Sequence, residues 1–461
     1  MYRTRQIRIR KGHKLWEYGR ELCAGSACLY NRANFLVRQY ATSVRALEEM
    51  KPLRENQMQA YLLVRKATRG SRHEPKGAWL TYGQLDHVLK MTDDPAYRSL
   101  PAQANQQVLK RLLRDYKSFF KALEQYRKHP ERFTGAPRLP GYRRKGSLAT
   151  AVLTNQICRI KDGHYLKFPG TKTRLNFGRS REGGKLKEVR IKPEQETYRE
   201  EVVLEIADEE KKGKLSGMEP EKIAELFREA KDPEYRIVSI DPGVNNFCAV
   251  TNNFGEKPFL IKGGVIKSAN RYYNKKLAEY RSEAERCNGK KQTRRIRKLT
   301  DKRNRILKDL MHKASRKITD WAVEHEADVV ILGHNRFQKQ RIQTGHVNNQ
   351  TIVQIPHNVF AGMLRYKLEE EGILLVEQEE SYTSKADFLA GDAIPVYGEE
   401  KEGEELRFSG VRTKRGLYRH EDGTLSNADI NGAGNILRKV FPNVKGWDRG
   451  IVDMPYVVRI A

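Results

Sequence analysis

The chain has 461 residues, and its 88 Lys and Arg residues outnumber its 58 Asp and Glu residues, which leaves a formal net charge of +30. Hydrophobic residues make up 38% of the sequence, enough to build cores, so wholesale disorder is excluded. The length predicts about two to four domains, and the charge predicts a polyanionic partner, nucleic acid before a membrane surface. No apolar run approaches the roughly 18 residues of a membrane span, and the first residues lack the apolar core of a secretory signal. We therefore expect a soluble, intracellular protein.

The cysteines are scattered and contain no C-x-x-C pair. They are Cys23, Cys28, Cys158, Cys248 and Cys287. This usage is typical of a reducing compartment, and the spacing predicts no zinc site.

The first part of the chain predicts a short strand followed by helices. Residues 3–11 alternate isoleucines with basic residues, as in a half-buried strand, and residues 14–130 look helical. In the clearest helix, 105–128, apolar residues recur every three or four positions. They are Val108, Leu112, Tyr116, Phe119, Leu123 and Tyr126. The basic residues between them predict either a solvated bundle face or a helix lying along a phosphate backbone.

A change of composition at Gly135 marks the next unit. Residues 135–146 form a basic loop too rich in Gly and Pro for a helix. Short strand-like runs then follow at 151–154, 164–168, 186–191 and 202–206. They predict a small all-β module that the N-terminal strand joins, with the helical region as an insertion. The charged stretch 209–231 is a linker or an exposed helix.

The last unit has the pattern of an α/β layer fold. Strands are predicted at 237–240, 247–251, 259–262, 328–332 and 373–376, with helical regions at 269–325, 358–370 and 431–440. Residues 448–461 look like a loose tail.

Three carboxylate positions in this unit are candidates for chemistry. Asp241 ends an apolar strand, where ligands bind in α/β folds, although an Asx turn also fits. Residues 377–380 include three acids after the fifth strand, and a solvated turn is the alternative. Asp429 precedes a helix that begins with small residues, and a helix N-cap is the alternative.

Together these features predict a metal-dependent nuclease. Carboxylates can hold two Mg²⁺ ions about 3.5–4 Å apart, which activate water and stabilise the leaving oxygen of a phosphodiester. Between Lys290 and Lys317, 13 of 28 residues are basic, so this helix can line a polyphosphate channel. Its predicted nucleic-acid contacts are Arg294, Arg295, Arg297, Lys298, Lys302 and Arg303.

Several motifs, in order along nearly the whole chain, resemble those of the TnpB family. The segment S-I-D-P-G-V-N-N-F at 239–247 resembles its first RuvC motif, and 312–318 resembles its helix before the fourth strand. Y-T-S at 382–384 and D-I-N-G-A-G-N-I-L at 429–437 match the late part of its nuclease domain. The loop 135–143 and L-Y-N-R at 29–32 resemble its basic Gly-Pro segment and its early helical motif. TnpB proteins are transposon-encoded, RNA-guided nucleases related to compact type V CRISPR effectors.

The resemblance implies an α+β multidomain architecture. A β-barrel wedge would contain an inserted helical recognition domain, followed by an α/β RNase H-like RuvC nuclease. The expected boundaries are wedge strand 1–13, recognition domain 14–130, wedge barrel 131–231, RuvC 232–383 with basic helical segment 269–318, an insertion 384–428, the last RuvC motif 429–440 and a C-terminal tail 441–461.

Two departures from the family pattern are visible. The usual glutamate after the fourth strand is missing, because 330–335 reads V-I-L-G-H-N. Some members, and the related Fanzor proteins, resemble this chain in carrying that glutamate on the next strand, which corresponds to Glu380, with Glu379 as the alternative. Neighbouring strands can both reach one metal pair, and alternation lets only one of two adjacent residues serve. His334 and Asn335 form a structural turn, or they contact a metal ion or the scissile nucleic-acid strand.

The second departure is the zinc ribbon. Typical members place paired cysteines after Thr-Ser, whereas no cysteine follows Ser384 here. We therefore expect a metal-free insertion and no zinc.

The leading hypothesis is a Mg²⁺-dependent RuvC-type endodeoxyribonuclease, a hydrolase guided by an omega-type RNA to double-stranded DNA next to a short motif. Asp241, Glu380 and Asp429 would bind two metal ions. A non-cleaving RNA-guided DNA-binding protein or repressor is the alternative, and a guide-free, structure-selective nuclease is a third. We expect a prokaryotic, cytoplasmic, nucleoid-associated protein without a membrane partner.

Overall fold

The structure is a computed structural model in which the chain divides into two compact units, 1–208 and 209–461. It describes residues 2–178, 184–195, 197–206, 213–215, 218, 220–229, 235–289, 292–334, 354–395, 407–414, 416–442 and 454–460. Each unit is treated by itself below. No helix in these ranges is long and apolar enough to cross a membrane.

The first unit begins with a strand and continues as a helical bundle. Its elements are β1 (Tyr2–Arg10), α1 (Trp16–Glu48), α2 (Glu55–Thr68), α3 (Tyr82–Met91), α4 (Pro95–Arg98) and α5 (Ala102–Lys128), followed by a single turn of 3₁₀ helix at Pro130–Arg132. The apolar stripe predicted on α5 is buried in its first half, at Val108, Leu112 and Tyr116. Its second half is only partly covered, with Phe119 half-buried and Phe120 at the surface.

Two asparagines of α1 anchor the basic Gly-Pro loop that was predicted from sequence. The side chain of Asn31 donates to the carbonyl of Arg143 at 2.8 Å and accepts from its amide at 2.6 Å. Asn34 donates to the carbonyl of Pro140 at 3.0 Å. The L-Y-N-R motif therefore serves in this structure to fix the loop.

The predicted all-β module is present, and the N-terminal strand belongs to it. Strands β2 (Ala151–Thr154), β6 (Lys185–Glu194) and β7 (Thr197–Glu205) form a sheet in the order β1-β7-β6-β2. Strand β1 pairs antiparallel with β7 over its whole length, from Tyr2 opposite Glu205 to Arg10 opposite Thr197. The helices α1 to α5 are thus inserted between two paired strands, as the sequence predicted.

A second small sheet contains two strands that the sequence analysis missed. Strands β3 (Arg159–Lys161), β4 (Tyr165–Lys167) and β5 (Arg174–Asn176) form an antiparallel sheet in chain order. Because β3 and β5 have three residues each with charged or polar ends, they lack the apolar run that identifies a strand. Pairing that would close a barrel is not found among the described strands, so the barrel remains a prediction.

A carboxyl group lies buried in the first sheet. Glu200 of β7 is fully buried, and neither of its carboxylate oxygens has a hydrogen-bond partner within the described ranges. Burial raises the pKa of Glu200 to about 8. The neutral acid is therefore the form that the folded sheet favours.

This burial predicts a pH-dependent loss of stability that Glu200→Gln removes. Below the unfolded-state pKa, near 4.5, both states hold the proton. Between pH 4.5 and about pH 8 only the folded state keeps the proton on Glu200. The free energy of unfolding therefore falls as pH rises, by at most about 1.4 kcal/mol per pH unit. Hydrogen exchange of the β6 and β7 amides in the whole protein across this range measures the slope. Glu205→Gln, at an exposed position of the same strand, is the control. A Glu200→Gln variant whose stability keeps the parent's slope with pH would contradict the prediction.

The second unit is built around a six-stranded sheet. Its elements are α6 (Pro220–Glu229), β8 (Ile237–Asp241), β9 (Asn246–Asn252), β10 (Phe259–Lys262), α7 (Gly264–Asn288), α8 (Arg294–Glu324), β11 (Val329–Gly333), α9 (His357–Glu370), β12 (Leu374–Gln378), β13 (Val411–Lys414), β14 (Leu417–Arg419), β15 (Leu425–Asn427), α10 (Ala428–Val440) and β16 (Tyr456–Val458). The strand order is β12-β11-β8-β9-β10-β16, and β13 to β15 form a separate antiparallel sheet. All five predicted strands are present.

The sheet topology brings three strand ends to one edge. Strands β8, β11 and β12 run parallel, with Leu332 opposite Ile240 and Gly333 opposite Gln378. Because carboxyl ends of parallel strands meet at one edge, the residues that follow these strands are neighbours. The mixed α+β multidomain fold predicted from the sequence is therefore present.

Two boundary expectations differ from the structure. The prediction of a loose tail is wrong for Tyr456–Val458, which pairs with β10 and so extends the sheet. Helix α6 was expected to be a linker or exposed helix in the wedge. It packs instead in the second unit, where Ile223 and Phe227 join a buried cluster with Leu437 of α10. Its apolar residues lie one helical turn apart, which explains the packing.

Candidate active site

Asp241 ends strand β8 beside the first turn of α10. The hydroxyl of Ser239 donates to the carbonyl of Ala433 at 2.7 Å, which fixes the helix on the strand. A Cβ atom at Gly432 would lie 2.8 Å from Oδ2 of Asp241, so the absence of a side chain there admits the carboxylate. The small residues that the sequence placed at the start of α10 thus permit the close packing predicted for them.

The carboxylate of Glu380 occupies the space above Gly333. A Cβ atom at Gly333, the last residue of β11, would lie 2.9 Å from Oε2 of Glu380 and 3.3 Å from Cδ of Pro242. Glu380 therefore lies where a side chain from position 333 would project, next to the residue that follows Asp241. This contact supports the interpretation that the missing acid after the fourth strand is replaced from the fifth.

Glu379 points elsewhere. Its Oε2 accepts from Nζ of Lys439 on α10 at 2.6 Å, and its Oε1 accepts from the amide of Ser381 at 2.6 Å. Of the two candidates, Glu380 is the one directed at Gly333.

Side chains of α10 hydrogen-bond the backbone of the Y-T-S segment and the residues after it. Asn435 of α10 donates to the carbonyls of Thr383 and Ala386 at 2.9 and 2.7 Å, and Asn431 donates to Ala386 at 2.9 Å. The hydroxyl of Thr383 donates back to the carbonyl of Glu380 at 2.9 Å. These bonds fix the backbone on which Glu380 stands relative to the helix that carries Asp429.

Asp429 lies in the first turn of α10, and Asn427 caps the helix. The side chain of Asn427 accepts from the amide of Asp429 at 3.0 Å, so the cap function considered for Asp429 belongs to its neighbour. The carboxylate of Asp429 accepts from Nδ2 of Asn246 at 2.6 Å and from the guanidinium of Arg412 at 3.1 Å. Sequence analysis missed both partners, since Asn246 lies in a strand and Arg412 in the expected insertion.

The three acids influence one another electrostatically. Burial, and then the charges of Glu380 and Asp429, raise the pKa of Asp241 well above its usual range, while Arg412 acts in the opposite direction. Burial raises the pKa of Glu380 to about 7, against the lowering effect of His334. Such mutual repulsion is what a bound cation would relieve.

The donor set fits hard divalent cations. Asp241, Glu380 and Asp429 offer carboxylate oxygens from three separate elements, which is the ligand type that Mg²⁺ prefers. Within the described residues, no three Asp, Glu, His or Cys side chains are already grouped at metal-binding spacing. Arg412 holds Asp429 in this arrangement, so binding of a metal ion there requires the guanidinium to move or to share the carboxylate.

A basic cleft of about 870 Å³ opens at Asp429. Its lining includes Asn246, Lys262, Arg412, Lys414 and Asp429. Nζ of Lys262 donates to Oδ1 of Asn246 at 2.9 Å, which orients the amide that holds Asp429. Cationic walls around an acidic end suit a phosphodiester backbone approaching the carboxylates.

Five of the six predicted nucleic-acid residues are exposed on α8. They are Arg294, Arg295, Arg297, Lys298 and Lys302. Arg303 is instead half-buried. Its guanidinium donates to Oδ1 of Asn270 at 2.8 Å and to the carbonyl of Gln354 at 2.6 Å. Burial lowers the pKa of Arg303. Lys290 and Lys291 lie outside the described residues.

His334 has a structural environment. Its Nδ1 lies 2.8 Å from a carboxylate oxygen of Glu377, and its Nε2 lies 2.8 Å from Oδ1 of Asn358. Both ring nitrogens are engaged, which favours the structural interpretation of this residue. Asn335 lies outside the described residues.

The insertion before α10 is organised by a buried polar cluster, here called the Asp387 hub. Asp387 accepts from Nδ1 of His420 at 2.6 Å and from the amide of Glu421 at 2.8 Å. His420 in turn bonds Ser426 at 2.7 Å, and all three side chains are buried. Gly410 passes so close that a Cβ atom there would lie 2.7 Å from Asp387. The hub ties 385–392 to the hairpins β13 to β15, which carry Arg412.

Two family models match parts of this chain. Residues 208–336 match the model of the OrfB_IS605 family, described as a probable transposase. Residues 357–436 match the model of the Cas12f1-like TNB domain. The resemblance to TnpB is thereby confirmed, and the placement of the chain in a subgroup with a relocated glutamate stays a proposal.

Solved structures with similar chains share little sequence with this one. A cryo-EM structure of a Cas12f1–sgRNA–target DNA complex is 14% identical, with a TM-score of 0.43, and the match covers 92% of this chain and 82% of that one. A crystal structure of Alicyclobacillus acidoterrestris C2c1 with single-guide RNA is 10% identical, with a TM-score of 0.34, covering 93% of this chain and 70% of that one. The comparison with curated proteins found no match.

Proposed function

We propose that this protein is an RNA-guided endonuclease that cleaves double-stranded DNA beside a short motif, using two Mg²⁺ ions held by Asp241, Glu380 and Asp429. The observation that carries the proposal is the approach of Glu380 to Gly333, since it supplies the acid that the fourth strand lacks. The family matches support a guided nuclease in general terms. Its guide RNA and target DNA make a cytoplasmic, nucleoid-associated location the natural one.

In this mechanism the chain positions groups around the scissile phosphate. The metal ions, when bound, activate the attacking water and stabilise the leaving oxygen. Asp241, Glu380 and Asp429 hold those ions, while Asn246 orients Asp429 through its amide. Lys262 and Lys414 line the cleft and attract the phosphate backbone. Arg412 is within reach of the same phosphate once it leaves Asp429.

The test begins with protein expressed together with its flanking genomic DNA. Bound RNA is sequenced, and the complex is assayed on a plasmid library randomised next to the target, with and without Mg²⁺. Guide-dependent cleavage beside a fixed motif supports the proposal. Guide-dependent binding without cleavage would instead favour a guided repressor, and cleavage that survives removal of RNA would favour a guide-free nuclease.

The close contact at Gly432 gives a further prediction within this function. Gly432→Ala favours the helix by propensity. Its Cβ atom, however, would lie only 2.8 Å from Oδ2 of Asp241 and would displace that carboxylate. A misplacement of about 1 Å in an active site can lower the rate up to about 100-fold, so we expect cleavage to fall by roughly 10- to 100-fold with the fold retained.

The matched control is Gly362→Ala in helix α9, where an added Cβ atom meets nothing within 4 Å. That variant should cut at the parent rate. Equal cleavage by the two variants, measured as initial rates on a plasmid target, would contradict the role given to Gly432.

A further inference from the structure

An aromatic cleft of about 390 Å³ lies on the helical part of the first unit. Its floor and walls come from α1, α5 and the segment before α3, and include Val37, Trp79, Leu113, Tyr116 and Phe120. Two lysines of α5 and one glutamate complete the rim, at Lys117, Lys121 and Glu124. Its volume falls in the range of pockets that hold small flat ligands, about 300–1,000 Å³.

The rings form a connected cluster with one accessible member. The centroids of Trp79 and Phe120 are 5.0 Å apart at an interplanar angle of 78°, and those of Trp79 and Tyr116 are 5.5 Å apart at 52°. Tyr116 is buried and Trp79 is half-buried, whereas Phe120 is 38% exposed. The buried rings therefore fix the position of an aromatic side chain that solvent can reach.

The charges around the cleft identify the chemistry of its occupant. The surface of α5 beside it is strongly basic, with exposed Lys110, Arg111, Arg114, Lys117 and Lys121. The acid at the rim, Glu124, is already paired with Lys128 at 2.9 Å. Arg45 lies over the ring of Trp79, 5.6 Å from its centroid. An apolar protein segment would gain nothing from these cations, whereas a nucleic acid would.

We propose that this cleft binds an unpaired nucleobase of a single strand, with the base stacked on Phe120 and the neighbouring phosphates close to Lys117 and Lys121. Aromatic platforms flanked by cations are the general means of holding single strands, because every base has a stacking face. The inference deepens the proposed function, since it assumes that the protein handles nucleic acid, but it does not require cleavage. An RNA strand and a displaced DNA strand have the same stacking chemistry.

The experiment is photo-crosslinking of the whole, RNA-free protein to short oligonucleotides. One probe carries 5-iodouridine in RNA and the other carries 5-iodo-deoxyuridine in DNA, and the crosslinked peptide is identified by mass spectrometry. We expect crosslinks within 113–124. A crosslink with only one probe assigns the strand to RNA or to DNA, and no crosslink in this segment with either probe overturns the proposal.

Two variants separate stacking from packing. Phe120→Leu keeps an apolar side chain but removes the ring, and Phe120→Tyr keeps the ring. Because one stacked base is worth about 1–3 kcal/mol, Phe120→Leu should weaken binding of the preferred probe roughly 5- to 150-fold, while Phe120→Tyr binds as the parent does. An abasic probe should bind both variants equally. If Phe120→Leu binds the intact probe at the parent affinity, the proposal fails, whatever the cleavage assay gives.

Discussion

Glu380→Gln is expected to abolish DNA cleavage and leave guide binding intact. The amide keeps the shape of the side chain beside Gly333 but removes the negative charge that would hold a metal ion. Metal-ion catalysis contributes several kcal/mol of transition-state stabilisation, so its loss corresponds to a rate at least about 100-fold lower. Initial rates of plasmid cleavage measure the effect, and copurified guide RNA reports folding.

Glu379→Gln is the matched control for that result. Glu379 differs by one position and bonds Lys439 rather than facing Gly333, so the variant loses an ion pair but no metal ligand. Its melting temperature falls, and the folded protein keeps cutting. The reverse outcome, an active Glu380→Gln and an inactive Glu379→Gln, would reassign the third acid. Asp241→Asn and Asp429→Asn complete the series as expected losses.

Asp387→Ala is expected to unfold the insertion. The substitution removes the acceptor of the buried His420 ring and of the part-buried backbone amides of Leu389 and Glu421. Each buried donor left unsatisfied costs about 1–3 kcal/mol, so the local free energy of unfolding falls by several kcal/mol. Hydrogen exchange of amides in 385–392 and 411–427 measures this directly, since a global melting curve of two units is not two-state.

The neighbouring Glu421→Ala controls for that prediction. Its side chain is exposed, so the change in local stability should stay within about 0.5 kcal/mol. The same exchange experiment with a chelator tests the expectation that no zinc is needed, because a chelator should change nothing if the Asp387 hub holds the insertion. Unchanged exchange in Asp387→Ala would show that the hub does not stabilise these hairpins.

Strands β8 to β12 were predictable because each contains a short apolar run, as strands buried within a sheet require. Asp241 and Asp429 were recognisable as candidates, because Asp241 ends an apolar strand and Asp429 opens a helix of small residues. The third candidate acid was harder to choose from the sequence. Glu379 and Glu380 are equivalent until the register of β12 against β11 is known.

The partners of these acids were not predictable from sequence. Arg412 reaches Asp429 from a hairpin whose path depends on the Asp387 hub, and the members of that hub are up to 39 residues apart. No local period or spacing encodes such contacts. Arg303 shows the opposite difficulty. An arginine in a basic run is predicted to contact nucleic acid, but the guanidinium of Arg303 donates hydrogen bonds within the protein.

The pairing of β1 with β7 has a consequence for how the chain is made. Tyr2 leaves the ribosome well before its partner Glu205, which follows about two hundred residues later. Helices α1 to α5 contact mainly one another, so they can form while β1 still has no strand beside it. Strand β1 is therefore synthesised before these helices but is among the last elements of its unit to reach its final place. A release of the nascent chain before residue 205 would leave the helices folded beside an exposed strand edge.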